Sequence, residues 1–229
     1  MSVSRPLAIA GASALLLSGL LSGCGVAGTD WHPGAAAEVG DETISTDHVN
    51  EVVTSYCDAV EDQLTEAGNV LPLRYLREGV TGELVMVSAA RQLGEEYGVE
   101  AGDQYSRQVA QLEQAVAALP EDAQAAVIEI ESADAYVNDI LQGVGEALAE
   151  GATPSSDEAI AAGREALAAW IDENGVEIDP QFAVEIVDGQ PARTDTDISF
   201  PVGDTAKAAN KEEPDQEYAG GLSSSHRCG

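Results

Sequence analysis

Hydrophobic positions recur at three- and four-residue steps through most of the chain between residues 46 and 174. The first such run lies between Ser45 and Gly68, and its apolar members are Val49, Val52, Val53, Tyr56, Val60 and Leu64. This spacing places the side chains on one face of a helix. Ser45 is suited to cap the start of the helix, and Gly68 is suited to the left-handed position after its end. The pattern therefore predicts an amphipathic first helix.

A short β-hairpin is predicted immediately before this helix. Val39 and Ile44 are apolar and flank a Gly40-Asp41 turn, which is typical of two antiparallel strands with a tight connection. Ile44 also precedes the capping serine and is spaced to pack on Val49 as a hydrophobic staple. The hairpin should therefore lead directly into the first helix.

Five further helical runs follow, at residues 73–97, 105–119, 121–131, 137–148 and 156–174. Gly98 is expected to end the first of them, and Ser155 with Glu158 forms a predicted capping box for the last. Gly79 and Gly82 weaken the 73–97 helix, so we expect a kink or a close helix crossing there.

Beyond Gly175 the period changes. Alternating apolar residues between 176 and 186, followed by a turn at Gly189, predict one or two short strands. From Gly203 the chain is rich in small and charged residues, so we expect it to be loosely ordered. The sequence thus predicts a mainly α fold, with a short N-terminal β-hairpin and short C-terminal strands. Its helical domain spans residues 36–182, and residues 183–229 form an extended acidic tail.

The chain is strongly acidic, with 41 Asp and Glu against 10 Lys and Arg and a formal net charge of −31. A general nucleic-acid binder is excluded, because phosphate contacts need a basic face. An acidic surface keeps a protein dispersed, and it also fits basic partners or adaptation to high salt. Arg74 and Arg77 lie one helical turn apart, and we expect them to pair with carboxylates rather than bind a ligand.

The first two dozen residues carry the strongest local pattern. Arg5 precedes an apolar run that is too short to span a bilayer comfortably, and the run ends in Leu21-Ser22-Gly23-Cys24. This ending resembles the lipobox of bacterial lipoproteins, which implies cleavage of residues 1–23 and lipid attachment at Cys24. The alternatives are an ordinary signal peptide and an uncleaved membrane anchor. Residues 24–35 are small and Gly-rich, so we interpret them as a tether.

Two further cysteines, Cys57 and Cys228, remain if Cys24 is acylated. Outside the membrane such a pair can oxidise, and the bridge would hold the tail on the first helix. The alternative is two unpaired thiols, so the sequence leaves both states open.

Catalytic and metal-binding patterns are weak throughout. His32, His48 and His226 lack metal-ligand spacing, and Asp195 with Asp197 lacks the further oxygens of a calcium loop. No Cys-x-x-Cys motif and no phosphate-binding glycine loop occurs. We therefore expect no enzymatic activity, no metal and no cofactor.

The lipobox, the segment Ala-Ala-Glu-Val-Gly-Asp-Glu-Thr-Ile-Ser-Thr-Asp-His-Val and the string of helices resemble the N-terminal domain of SurA-type periplasmic chaperones. In that family a Val-Asn-Gly-x-x-Ile-Ser segment leads into the first helix, and here Gly40-Asp41 stands where Asn-Gly is usual. The segments around Gly94 to Glu100 and Val176 to Phe182 add to the resemblance. The family often carries a parvulin-type prolyl isomerase domain, and no segment here has the length or pattern for one.

The resemblance implies a lipid-anchored, extracytoplasmic chaperone-like protein that binds unfolded or extended segments of exported polypeptides. Its helices would form an apolar cradle, and its contact with the membrane would be through the lipid alone. The alternatives are a structural or interaction lipoprotein that binds one folded envelope partner, and a degenerate prolyl isomerase. The candidate client-binding residues on the apolar faces are Val52, Tyr56, Leu84, Val87, Leu112 and Val116.

Overall fold

The computed structural model describes residues 33–149, 151–194, 201–211 and 213–229. The predicted signal peptide, the lipid attachment at Cys24 and most of the tether lie outside these residues. The strands are β1 Ala35–Val39, β2 Glu42–Ser45, β3 Leu71–Pro72, β4 Val176–Ile178, β5 Val184–Val187, β6 Gln190–Arg193 and β7 Arg227–Cys228. The helices are α1 Thr46–Ala67, α2 Leu73–Tyr97, α3 Asp103–Ala115, α4 Glu121–Glu131, α5 Ala133–Leu148, α6 Ser156–Asn174, α7 Asp204–Ala209 and α8 Gln216–Gly220. The predicted mainly helical fold with short strands is confirmed.

The N-terminal hairpin and α1 form as the local pattern predicts. Strands β1 and β2 pair antiparallel, with Val39 opposite Glu42 and Gly40 in the left-handed region at φ 56°. The Ser45 hydroxyl accepts a hydrogen bond from the backbone N–H of His48 at 3.1 Å, which caps α1. Gly68 ends this helix in the left-handed conformation at φ 71°. These boundaries follow from residues within one turn of each helix end.

Helix α2 is the central element, because both hydrophobic clusters of the domain include its side chains. One cluster joins α2 to β1, α5 and α6, and it contains Val39, Val85, Leu93, Ile140, Val144, Leu167 and Trp170. The other joins α2 to α1, α4 and the segment around Phe182, and it contains Val49, Val53, Leu76, Val80, Ala126 and Phe182. Burial of these apolar surfaces is the main force that holds the helices together.

Helices α5 and α6 cross at a distance that only glycine permits. A Cβ atom added at Gly163 would lie 2.0 Å from the carbonyl oxygen of Leu141. One added at Gly145 would lie 1.9 Å from the carbonyl oxygen of Ala159. Each glycine therefore lets the backbone of the other helix approach closely.

The segment after α6 returns to the first half of the domain. Strand β4 pairs antiparallel with β1, and β5 and β6 form a hairpin with a turn at Asp188 and Gly189. Pro191 of β6 packs on Gly82 of α2, where an added Cβ would lie 2.8 Å from the proline Cβ. The close approach predicted at Gly82 therefore exists, but the element that approaches is a strand and not a helix.

The described residues after 183 differ from the predicted extended tail. They contain the β5–β6 hairpin, the short helices α7 and α8, and β7, which pairs with β3 so that Leu71 lies opposite Cys228. Composition alone suggested loose order, because it contains no information about the distant contacts that hold this segment. The β5–β6 hairpin packs on α2 at Gly82, and β7 is held by β3 and by the disulfide to α1.

Candidate functional site

The predicted client-binding residues lie mostly inside the domain. Val52, Leu84 and Val116 are buried, with side chains 4%, 8% and 6% exposed. Val87 is partly buried against the cluster that joins α2 to α5 and α6, and Leu112 is also partly buried. The amphipathic pattern predicts an apolar face, but the neighbouring helices cover that face.

Tyr56, the remaining predicted client-binding residue, is half-buried and polar in its contacts. Its hydroxyl donates a hydrogen bond to the Glu131 carboxylate. Burial, reinforced by this hydrogen bond, raises the pKa of the Tyr56 hydroxyl. Tyr56 therefore joins α1 to the end of α4 rather than presenting a free aromatic ring.

The sulfur atoms of Cys57 and Cys228 lie 2.16 Å apart, which is disulfide distance. Of the two states that the sequence left open, the structure agrees with the bridged one. The bridge connects α1 to β7, the last strand of the chain. It therefore holds the C-terminal segment beside the loop that leads into α2.

Basic residues gather where this segment meets the beginning of α2. Half of the ten Lys and Arg residues of the chain belong to this basic cluster, and His226 accompanies them. Its members are Arg74, Arg77, Arg193, Lys211 and Arg227. Two of them have acidic partners, since Lys211 Nζ lies 2.5 Å from Asp215 Oδ2 and Arg193 Nε lies 2.8 Å from Glu78 Oε2.

Arg74 and Arg77 form no ion pair within the described residues, so the expected direct pairing with carboxylates is not seen, although the charge of Arg74 acts on the nearby Glu78 carboxyl. Arg77 Nε donates to the amide oxygen of Asn50 at 3.3 Å, and Arg74 Nη2 donates to the hydroxyl of Tyr75 at 3.1 Å. The Nε atom of Arg74 is buried without a hydrogen-bond acceptor. Arg91, further along α2, by contrast forms ion pairs with Glu42 of β2 and Glu95 of α2.

Tyr75 connects the beginning of α2 to the C-terminal segment. The guanidinium carbons of Arg74 and Arg193 lie 4.6 Å and 4.4 Å from its ring centre, which is cation–π distance. The Tyr75 hydroxyl donates to the backbone carbonyl of Lys211, and Arg193 Nη1 donates to the same carbonyl at 2.7 Å. These contacts fix two arginines and the chain around residue 211 in one arrangement.

Glu78 lies below this arrangement and is 6% exposed. Burial raises the pKa of its carboxyl, and the positive charges of Arg193 and Arg74 oppose that change. Arg193 Nε is close enough to Glu78 Oε2 to form an ion pair, but that oxygen accepts no well-aligned hydrogen bond. Arg193 therefore has an acidic partner within the protein, whereas Arg77 forms no ion pair among the described residues.

A cavity of about 210 Å³ lies beside Arg74 and Arg77, and we call it the basic pocket. Its lining contains no aspartate or glutamate, although these types supply 41 of the 229 residues. The lining residues are Pro72, Leu73, Arg74, Arg77, Tyr218, Leu222, Ser225 and His226. The basic pocket thus combines two guanidinium groups with several apolar surfaces.

The N-terminus of α2 adds to the positive character of the basic pocket. The preceding Pro72 provides no side-chain cap, and the first turn contains no acidic residue. A helix of 25 residues with an uncapped N-terminus favours negative charge near its first N–H groups. The arrangement can therefore bind an anionic group non-covalently.

Other kinds of site receive less support. Among residues 33–149, 151–194, 201–211 and 213–229, no group of three or more His, Cys, Asp or Glu side chains is placed to hold a metal ion. Within the same described part of the chain, no helix has the length and apolar character needed to cross a membrane.

The comparisons with known proteins give no match. No protein-family model, curated protein or solved structure matches this chain.

The sequence singled out Arg74 and Arg77 but predicted that they pair with carboxylates rather than bind a ligand, and it did not indicate the residues that complete the basic pocket. Tyr218, Leu222 and His226 lie more than 140 positions further along the chain. One usable signal was present, because a chain with so few basic residues places Arg193, Lys211 and Arg227 in its last forty positions. Their convergence on α2 depends on the fold.

Proposed function

We propose that this chain is a lipid-anchored, extracytoplasmic binding protein that recognises an anionic group of an envelope partner at the basic pocket. Recognition is non-covalent, without a catalytic step. The observation that carries the proposal is that Arg74 and Arg77 form no ion pair within the described residues of a chain with a formal charge of −31. Two arginines that line a pocket without an ion pair are a usual arrangement for binding carboxylates or phosphates.

The location outside the cytoplasm rests on two observations. The Cys24 pattern resembles a lipobox, and the Cys57–Cys228 pair is at disulfide distance. Structural disulfides persist in oxidising compartments and are rare in the cytosol. The proposed lipid anchor and the disulfide are therefore consistent with one another.

The partner-binding alternative receives more support than the client-holding one. A chaperone that holds unfolded chains needs accessible apolar surface, and three of the six candidate residues for that role are less than a tenth exposed. The similarity of the helical arrangement to the SurA N-terminal domain stays a prediction that the sequence motifs support. A domain of this type would serve here as the scaffold of a specific binding site.

In vivo photo-crosslinking tests this function. A photo-crosslinking residue replaces Leu222 in the basic pocket, and in a separate strain it replaces Leu148, which is 43% exposed at the end of α5. We expect a discrete crosslinked partner from position 222 and not from position 148. Arg77→Gln should abolish that product, whereas Arg107→Gln, with the same change of charge at another cavity, should preserve it.

Two results would contradict the proposal. One is a crosslinking pattern at position 222 that is unchanged by Arg77→Gln. The other is suppression of the aggregation of a denatured client by the full chain that Arg74→Gln and Arg77→Gln leave intact, since this would support the client-holding alternative.

A further inference from the structure

The basic pocket adjoins a second cavity of opposite charge. This acidic cavity of about 450 Å³ is lined by Asp204, Asp215 and Glu217, and it shares Tyr218 and Leu222 with the basic pocket. One acid of the set, Asp215, is neutralised by Lys211 and caps α8. Asp204 and Glu217 are exposed and have no ion pair in the described part of the chain.

We infer that the two cavities together bind the free C-terminus of a polypeptide that carries a basic side chain a few residues before its end. This inference rests on the proposed function and specifies its ligand. The terminal carboxylate lies against Arg74 and Arg77, and the last side chain lies against Leu73 and Leu222. The preceding basic side chain enters the acidic cavity.

The terminal carboxylate is selected by the guanidinium groups and the end of α2. A planar guanidinium forms two parallel hydrogen bonds to a carboxylate, and uncapped N–H groups at a helix N-terminus favour the same charge. Capture of a C-terminal carboxylate by such donors is a recurring mode of peptide recognition.

The rest of the protein selects against other anions. The formal charge of −31 repels polyanions such as nucleic acids and anionic lipid surfaces. A segment with one terminal carboxylate and a nearby basic residue has no net charge, so it avoids this repulsion. The apolar lining by Pro72, Leu73 and Leu222 also suits an aliphatic last residue better than a hydrated phosphate.

Isothermal titration of the oxidised full chain tests this assignment with four peptides and inorganic phosphate. The reference peptide is acetyl-Gly-Lys-Gly-Leu with a free C-terminus. The others are its C-terminal amide, a version with Glu in place of Lys, and acetyl-Gly-Gly-Gly-Leu. We expect the amide to bind at least about tenfold more weakly, because it loses a charge-assisted hydrogen bond. The Glu peptide should bind more weakly than the all-glycine one.

Protein variants assign each cavity to its half of the ligand. Arg77→Gln should weaken binding of the reference peptide about tenfold or more, while the charge-matched Arg107→Gln should change it less than about twofold. Glu217→Gln should weaken binding of the lysine peptide and leave that of the all-glycine peptide unchanged. Circular dichroism of each variant confirms that it is folded.

Equal binding of the free and amidated peptides would overturn the assignment, and so would equal effects of Arg77→Gln and Arg107→Gln. Binding of phosphate in preference to every peptide would overturn the peptide ligand, but it would leave an anion-binding protein as proposed above. If the peptide with a free C-terminus binds while crosslinking at position 222 gives no partner, the inference about the peptide ligand is supported and the proposed envelope partner is contradicted.

Discussion

The close contact between α5 and α6 makes Gly163 a position where one added methyl group should have a large effect. The Cβ of Gly163→Ala would lie 2.0 Å from the carbonyl oxygen of Leu141, whereas ordinary van der Waals contact begins at 3.4 Å. Because the obstacle is backbone, no side-chain rotation can relieve the clash. The two helices must separate by about 1.4 Å, the difference between these distances.

The cost of this separation exceeds the gain in helix propensity. Overpacking of a well-packed core costs about 1–3 kcal/mol and sometimes more. Replacement of glycine by alanine in a helix returns up to about 1 kcal/mol. Leu141 and Leu167 belong to the same hydrophobic cluster, so the separation also disturbs their packing. We expect a net loss of about 2 kcal/mol, which corresponds to a fall in Tm of roughly 4–8 °C for a chain of this size.

Gly79→Ala is the matched control, because an added Cβ at Gly79 meets no heavy atom within 4 Å. The same substitution in the middle of α2 should therefore stabilise the protein by up to about 1 kcal/mol. Urea unfolding of the oxidised protein, followed by circular dichroism, measures both effects. If Gly163→Ala is as stable as the wild type, or if both substitutions stabilise the protein, the inferred backbone contact is refuted.

Three more predictions concern the disulfide, Glu78 of α2 and Glu42 of β2. Cys228→Ser should lower the free energy of unfolding by up to about 5 kcal/mol, because the bridge closes a loop with a sequence separation of 171. The difference between this variant and the wild type should vanish in reductant. Titration of two free thiols in the unfolded, unreduced wild type would contradict the bridge. Burial raises the pKa of the Glu78 carboxyl above the ordinary 4.5, so the contribution of Glu78 to stability falls as the pH rises. The Glu78→Gln variant should therefore become more stable relative to the wild type as the pH rises. The Arg91 side chain hydrogen-bonds Glu42 and lowers the pKa of that carboxyl, so the contribution of Glu42 to stability is present at higher pH and is lost as the pH falls. The Glu42→Gln variant should therefore become less stable relative to the wild type as the pH rises. If the unfolding free energy of either variant changes with pH in the same way as that of the wild type, the burial assigned to Glu78 or the pairing assigned to Glu42 is contradicted.

The ends of the helices could be predicted because they depend on neighbouring residues. Gly68 and Gly98 are left-handed at the ends of α1 and α2, and Ser155 with Glu158 forms the predicted capping box of α6. Each of these features is decided by backbone hydrogen bonds within one helical turn. The hairpin before α1 could be predicted for the same reason.

The fate of the apolar faces could not be predicted in this way. The spacing of Val52, Leu84 and Val116 indicates that each lies on an apolar face, and this is as true of a buried face as of an exposed one. Only the packing of the helices covers these side chains. The same limit applies to Gly163, since its role depends on an α5 carbonyl 22 positions earlier.

By itself, the sequence determined most of the helices, their caps and the acidic charge, and it left open whether Cys57 and Cys228 pair. The tertiary structure decided that the last segment folds back, that Arg193 and Lys211 meet Tyr75, and that Arg74 and Arg77 form no ion pair within the described residues. The physical reason is the range of each interaction. Capping and periodicity act within a few residues, whereas the basic pocket is built from groups more than 140 positions apart that only the folded core and the Cys57–Cys228 bridge bring together.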